Sequence, residues 1–239
     1  MQKNLTIRFV SDEGGVSLFV NGFLVFSPED TGRSVTQPLP FIRKGVNAVE
    51  LVPTEPGKVA SFSIVNAIEG EDEEDDILLS LTTEQDGDGL PVIGEFSLEA
   101  FVLDFQWHQA KEIELTKTAE DEIYEVVRNL GKHLQNGPDD NLLKLLEVKH
   151  NEIAASVGLS KQDMDSGLLG GLAVLRDMPG FAVDVVERDD FSLITSSNGV
   201  VINARRKSGG HALKMMDGFD NPGFTVSLAK VKNRWVILR

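Results

Sequence analysis

The 239-residue chain has no cysteine. That excludes a disulfide framework, thiolate zinc sites, iron–sulfur clusters and a cysteine nucleophile, and it suits a reducing compartment. No apolar run approaches the roughly 18 residues that a membrane span requires. The opening residues 1–9, Met-Gln-Lys-Asn-Leu-Thr-Ile-Arg-Phe, alternate polar and apolar side chains. They read as a strand rather than a secretory leader. The expectation is a soluble, cytoplasmic protein without membrane contact. Hydrophobic residues make up 41% of the chain, enough to bury a core.

Positive charge is scarce in only one half. Residues 1–115 hold 21 acidic and 7 basic side chains, whereas residues 116–239 hold 17 and 16. The net charge of −15 is therefore concentrated in the first half. Such asymmetry predicts two units with different surfaces, and it argues against nucleic acid as a direct ligand of the first.

The first half reads as β throughout. Short segments rich in Val, Ile, Leu and Phe fall near 4–10, 16–20, 23–27, 47–52, 59–65, 76–83 and 95–105, separated by turn residues. Asn21-Gly22 between two such runs is a strong hairpin signal, because both turn positions need positive φ. This pattern predicts an antiparallel β-sandwich over 1–110. From residue 116 the period becomes helical. Thr116 or Thr118 can cap a helix carrying Ile123, Val126, Val127, Leu130 and Leu134, and Asn136-Gly137-Pro138 stops it. A second helix opens at Asp139-Asp140, and a third runs from a Ser160 cap to about Met178. Strands follow to the end. Helices and then an antiparallel run predict an α+β domain over 111–239.

Two stretches resemble known families. Ser17-Leu-Phe-Val-Asn-Gly-Phe-Leu-Val, followed by residues 39–51 with Lys44-Gly45-Val46-Asn47, resembles the galactose-binding-like jelly roll; the sugar-binding residues of that family have no matching positions. The order of elements over 117–239, with Gln135-Asn-Gly-Pro-Asp-Asp, a Leu-rich helix, Lys149-His150 and a final Lys232-Asn-Arg-Trp-Val-Ile, resembles the NTF2-like cone. Residues 101–110, Phe-Val-Leu-Asp-Phe-Gln-Trp-His-Gln-Ala, look like a junction in bacterial two-domain proteins similar to type VI secretion immunity proteins. Those resemblances imply a non-catalytic protein that neutralises a cognate toxin.

Catalytic chemistry has little to stand on. Of the four histidines, His108 lies in a linker, His133 ends a helix and His211 lies in a loop. His150 best fits a pocket, with Asp184 or Glu187 as partner. No Ser/His/Asp order and no phosphate-binding glycine loop is present, so no catalytic residue and no cofactor is expected. Glu84, Asp86, Asp88 and Glu95 follow the calcium-loop spacing except for Glu at its first position. Strand-like flanks and Pro91 favour a solvated acidic turn instead.

The run Glu69, Glu71, Asp72, Glu73, Glu74, Asp75 and Asp76 is either a solvated loop or, with Asp86 and Asp88, a docking face. An anionic face suits a basic, nucleic-acid-cleaving toxin, since carboxylates can stand in for phosphates. The expected partner is therefore a protein, with a homodimer also compatible. The alternative is a small-molecule enzyme of the NTF2-like type with a polar pocket around His150. The basic last 40 residues, with Arg205, Arg206, Lys207, Lys214, Lys230, Lys232, Arg234 and Arg239, carry no nucleic-acid reader motif.

Overall fold

The computed structural model describes residues 4–11, 15–28, 32–36, 39–67, 76–84, 87–99, 103–195, 199–216 and 223–239. The chain is mixed α+β, with four helices and four antiparallel sheets among these residues. It divides into two compact units, Met1–Asp104 and Phe105–Arg239.

The first unit holds β1 (Asn4–Ser11), β2 (Val16–Val20), β3 (Phe23–Phe26), β4 (Gly32–Thr36), β5 (Gly45–Pro53), β6 (Ala60–Ala67), β7 (Asp76–Thr82) and β8 (Val92–Leu98). They form two four-stranded sheets, ordered β4-β1-β6-β7 and β3-β2-β5-β8. Alternation puts Ile7 and Phe9 of β1 beside Ile64 and Phe62 of β6, all fully buried. A Cβ on Gly94 of β8 would lie 2.8 Å from the Leu81 side chain of β7, so this position admits no side chain without movement.

The turn between β2 and β3 has φ of 49° at Asn21 and 91° at Gly22, as the Asn-Gly signal predicts. The Asn21 amide also has a tertiary task. Its Nδ2 donates to the Phe41 carbonyl at 2.8 Å and to Asn47 Oδ1 at 2.7 Å, and its Oδ1 accepts from the Ala48 N–H. Asn47 in turn donates to the Arg43 and Gly45 carbonyls. This buried pair of amides ties the hairpin to the turn that feeds β5. Strand β4 was not expected, because Gly-Arg-Ser-Val-Thr offers too little apolar alternation. The last strand of this unit lies at 92–98 rather than 95–105.

The second unit holds α1 (Lys117–Asn136), α2 (Asp139–Leu145), α3 (Glu147–Val157) and α4 (Lys161–Arg176), then β9 (Ala182–Val185), β10 (Phe191–Thr195), β11 (Ile202–Arg206), β12 (Leu213–Met216), β13 (Gly223–Phe224), β14 (Val226–Val231) and β15 (Arg234–Ile237). Sheets β10-β11-β14-β15 and β13-β12-β9 contribute to one core with α1, α2 and α4. Thr116 caps α1 by accepting the Ala119 N–H at 3.2 Å. Ser160 caps α4 in a reciprocal box with Asp163. The buried stripe of α1 is Ile123, Val127, Leu130, Gly131 and Leu134. Helix α3 was not expected from the periodicity. Its buried positions are His150, Glu152 and Ala154, so two of three carry ionisable groups and no apolar stripe exists to find.

Candidate functional site

Those two buried ionisable groups of α3 belong to a set of interior charges that apolar packing does not explain. The backbone sets their positions. Lys149 and His150 follow one another in the first turns of α3, with Glu152 one turn after Lys149. Arg239 is held by the sheet, because Ser227 exchanges backbone hydrogen bonds with Leu238 and Arg239 at 2.8–3.0 Å and so extends the β14–β15 pairing.

Lys149, His150 and Arg239 line a cavity of about 100 Å³, whose other walls are mostly leucine from α1 and α4 with Met215, Phe224 and Ile237 of the sheets. His150 is buried and its Nδ1–H donates to Asp165 Oδ1 at 2.6 Å. Asp165 Oδ2 receives the Lys161 ammonium at 2.5 Å, one turn back on α4. Burial pushes the Asp165 carboxyl up, but the hydrogen bonds from His150 and Lys161 outweigh it and hold the group below the usual carboxylate range. A carboxylate that fixes Nδ1–H leaves Nε2 as the basic nitrogen, the arrangement general base chemistry uses.

Glu152 is also buried. Its Oε1 accepts the Gln106 N–H at 2.8 Å and its Oε2 faces Arg239 Nη1 at 3.1 Å. Burial pushes the Glu152 carboxyl up and the Arg239 guanidinium down, so desolvation outweighs attraction in each member of the pair. The bond to Gln106 anchors the short 3₁₀ turn Gln106–Gln109, which carries the buried Trp107.

Lys149 differs from its neighbours. Among the described residues it has no hydrogen-bond or ion-pair partner, and the charge that bears on it is that of the like-signed Arg239. The residue as a whole remains partly exposed, yet burial, then repulsion from Arg239, pushes its amine down to about 8 from 10.5. The native state therefore holds fewer protons than the unfolded chain between these two values, and the stability associated with Lys149 falls as pH drops from 10.5 to about 8 and is level below. Lys149→Met keeps the stem and removes the charge. It is expected to raise unfolding stability at pH 7 by up to about 3 kcal/mol, at about 1.4 kcal/mol per pKa unit, with much less gain at pH 10. Both tryptophans, Trp107 and Trp235, belong to the second unit, so their fluorescence in urea reports this directly. A variant no more stable than the parent at pH 7 would overturn the assignment.

The structure pairs His150 with Asp165, not with the expected Asp184 or Glu187; Asp184 instead accepts from Arg206 at 2.8 Å. His133 bonds the Gly137 carbonyl, His108 packs edge-on against Trp107, and His211 faces Thr225. Glu152 and Asp165 escaped sequence reading, while Lys149 entered it only within a resemblance and Arg239 only as one of the basic last residues. The one available signal was their type, Lys-His-x-Glu within a helix otherwise short of apolar residues.

On the first unit, Glu69, Glu71, Asp72, Glu73, Glu74, Asp75 and Asp86 lie outside the described residues. Asp76 opens β7 and is exposed, opposite Asn66. Glu84, Asp88 and Glu95 are exposed too, and Asp88 Oδ1 is occupied by the Leu90 N–H at 3.0 Å. Among the described residues no three His, Asp or Glu side chains come close enough to hold a metal ion, so Glu84, Asp88 and Glu95 are not brought together as calcium ligands. No described helix is long and apolar enough to cross a membrane. Compared with known proteins, the chain matches no family model, no curated protein and no solved structure.

Proposed function

We propose that this chain is a non-catalytic binding protein, an inhibitor of the immunity type that neutralises a basic cognate toxin in the cytoplasm through its first unit. In this reading the first unit is a β-sandwich of the jelly-roll kind and the second an NTF2-like domain. Two four-stranded sheets in contact through β7 and β8 support the former; four helices followed by a run of antiparallel strands support the latter.

The observation that carries the functional reading is how charge is compensated. The second unit neutralises itself: Arg176 pairs with Asp139, Arg188 with Glu120 and Asp121, Arg206 with Asp184, and Lys230 with Glu122. The first unit has 19 acidic side chains against 6 basic ones. Among its described residues Asp76, Glu84, Glu95 and Glu99 are exposed and form no ion pair. An uncompensated anionic surface repels itself and attracts a basic partner, steering encounter.

The test begins with a partner recovered on the full-length chain and proceeds to association rates. Replacing Asp72, Glu73, Glu74, Asp75 and Asp76 by Ser or Asn is expected to slow association about tenfold at low salt and much less at high salt, since the screening length is about 8 Å at physiological ionic strength. The melting temperature is expected to stay within a degree or two, because a run of like charges repels itself and stabilises nothing. Equal rates for parent and variant at low salt would sink this reading.

A second reading, a small-molecule enzyme of the NTF2-like type, draws on the His150–Asp165 pair at the cavity. Against it stands the cavity's size: about 100 Å³ is well below the roughly 300–1,000 Å³ usual for substrate pockets.

A further inference from the structure

We propose that the cavity beside α3 is a binding site for a small monocarboxylate with a compact apolar body, its head group received by Lys149 and Arg239 and its hydrocarbon by the leucine walls. This site is independent of the acidic face and of toxin binding.

Charge balance around the cavity carries the argument. Asp165 is fully engaged, with His150 on one oxygen and Lys161 on the other. Glu152 spends one oxygen on the Gln106 N–H and the other on Arg239. Lys149 remains, beside Arg239, with no carboxylate to answer it among the described residues. Of these side chains Lys149 is therefore the one whose charge is left unanswered among the described residues. A charge withdrawn from water without a partner is strongly unfavourable, and a bound monoanion would remove that cost. A dianion such as phosphate would over-compensate it.

The walls select the rest of the ligand. Apart from Lys149, His150, Arg239 and Thr225 the lining is apolar, with Leu130 of α1 and Leu168 and Leu172 of α4 among it. These side chains offer no hydrogen-bond partner for a sugar or a nucleotide. A cavity of about 100 Å³ exceeds what a single water needs and is well below the size of a drug-sized pocket, which makes short-chain acids from butyrate to hexanoate the fitting probes. Lys149 is apt for the head group: a compact ammonium with three rotatable donors adapts to a carboxylate, while its stem packs along apolar surface.

The test uses the full-length chain and two probe series at constant ionic strength: sodium butyrate, isovalerate and hexanoate, and the neutral alcohols of the same skeletons. Thermal unfolding is followed by tryptophan fluorescence, and the binding heat is measured directly by calorimetric titration of the unmodified protein. The acids are expected to raise the melting temperature by several degrees with a dose dependence, since a ligand that binds only the native state stabilises it. The alcohols should bind at least tenfold more weakly. Lys149→Met should lose at least tenfold in affinity for the best acid, and Lys149→Arg should regain most of it. Three results would each overturn the proposal: no acid binds at about 10 mM, where even a weak ligand registers; an alcohol matches its acid, which makes the cavity merely apolar; or Lys149→Met binds acids as the parent does. The calorimetric comparison of acid with alcohol decides the matter without any variant.

Discussion

Glu152→Ala is expected to destabilise the second unit by about 3–5 kcal/mol, the usual consequence of removing one partner from a buried ion pair. The variant would leave the Arg239 guanidinium, its side chain only 10% exposed, facing a void. It would also strip the acceptor from the Gln106 N–H and so loosen the 3₁₀ turn that carries Trp107. Tryptophan fluorescence should register both effects, as a lower urea midpoint and a red-shifted native spectrum. Because burial opposes both charges of the pair, the double replacement Glu152→Leu with Arg239→Leu is expected to recover most of the loss. With the single variants Glu152→Leu and Arg239→Leu beside it, the cycle isolates that coupling. If Glu152→Ala melts like the parent, the pair is not an anchor.

Gly131→Val should cost a comparable amount for the opposite reason, too much volume. Gly131 faces sheet β13-β12-β9 from the buried stripe of α1, and a Cβ there would lie 2.3 Å from Val185 Cγ2 and 3.1 Å from Leu213 Cδ2. Even alanine is too large as the elements stand. A better helix former in mid-helix ordinarily gains about 1 kcal/mol over glycine, yet Gly131→Ala is expected to lose about 1–3 kcal/mol net, the range of overpacked cores. Val185 is β-branched, with little freedom to turn away. Gly170, also on a helix but with nothing within 4 Å of its Cβ position, is the control: Gly170→Ala should be neutral or stabilising. Loss at position 131 with gain at position 170 supports the close approach; gain at both would refute it.

Element type was legible wherever burial and periodicity coincide. The stripe Ile123, Val127, Leu130, Leu134 announced α1, and the Asn21-Gly22 turn announced its hairpin, because each depends on neighbours in the chain. The capping box Ser160–Asp163 was half legible: the serine was named as a cap, its aspartate was not. Reading failed where the partner of a residue lies far along the chain. Strand β4 has no apolar pattern of its own and exists because β1 offers an edge, with Phe9 opposite Ser34. Helix α3 turns inward on His150 and Glu152, which only Asp165, Gln106 and Arg239 make tolerable.

Composition and local period thus determined a definite set of properties from sequence alone: the segregation of charge, the absence of thiol chemistry, the change from β to helical character near residue 116, and the best histidine to watch. Tertiary structure alone decided which carboxylate that histidine meets, which glycine is a contact and not a hinge, and which cation is left without a counter-charge. The physical reason is the range of the forces involved. Backbone propensity and amphipathic period act over a few residues. The cost of a buried charge, by contrast, is set by whatever the fold brings near it, and Lys149 shares its cavity with side chains of α1 and α4 and with Arg239, 90 positions along the chain.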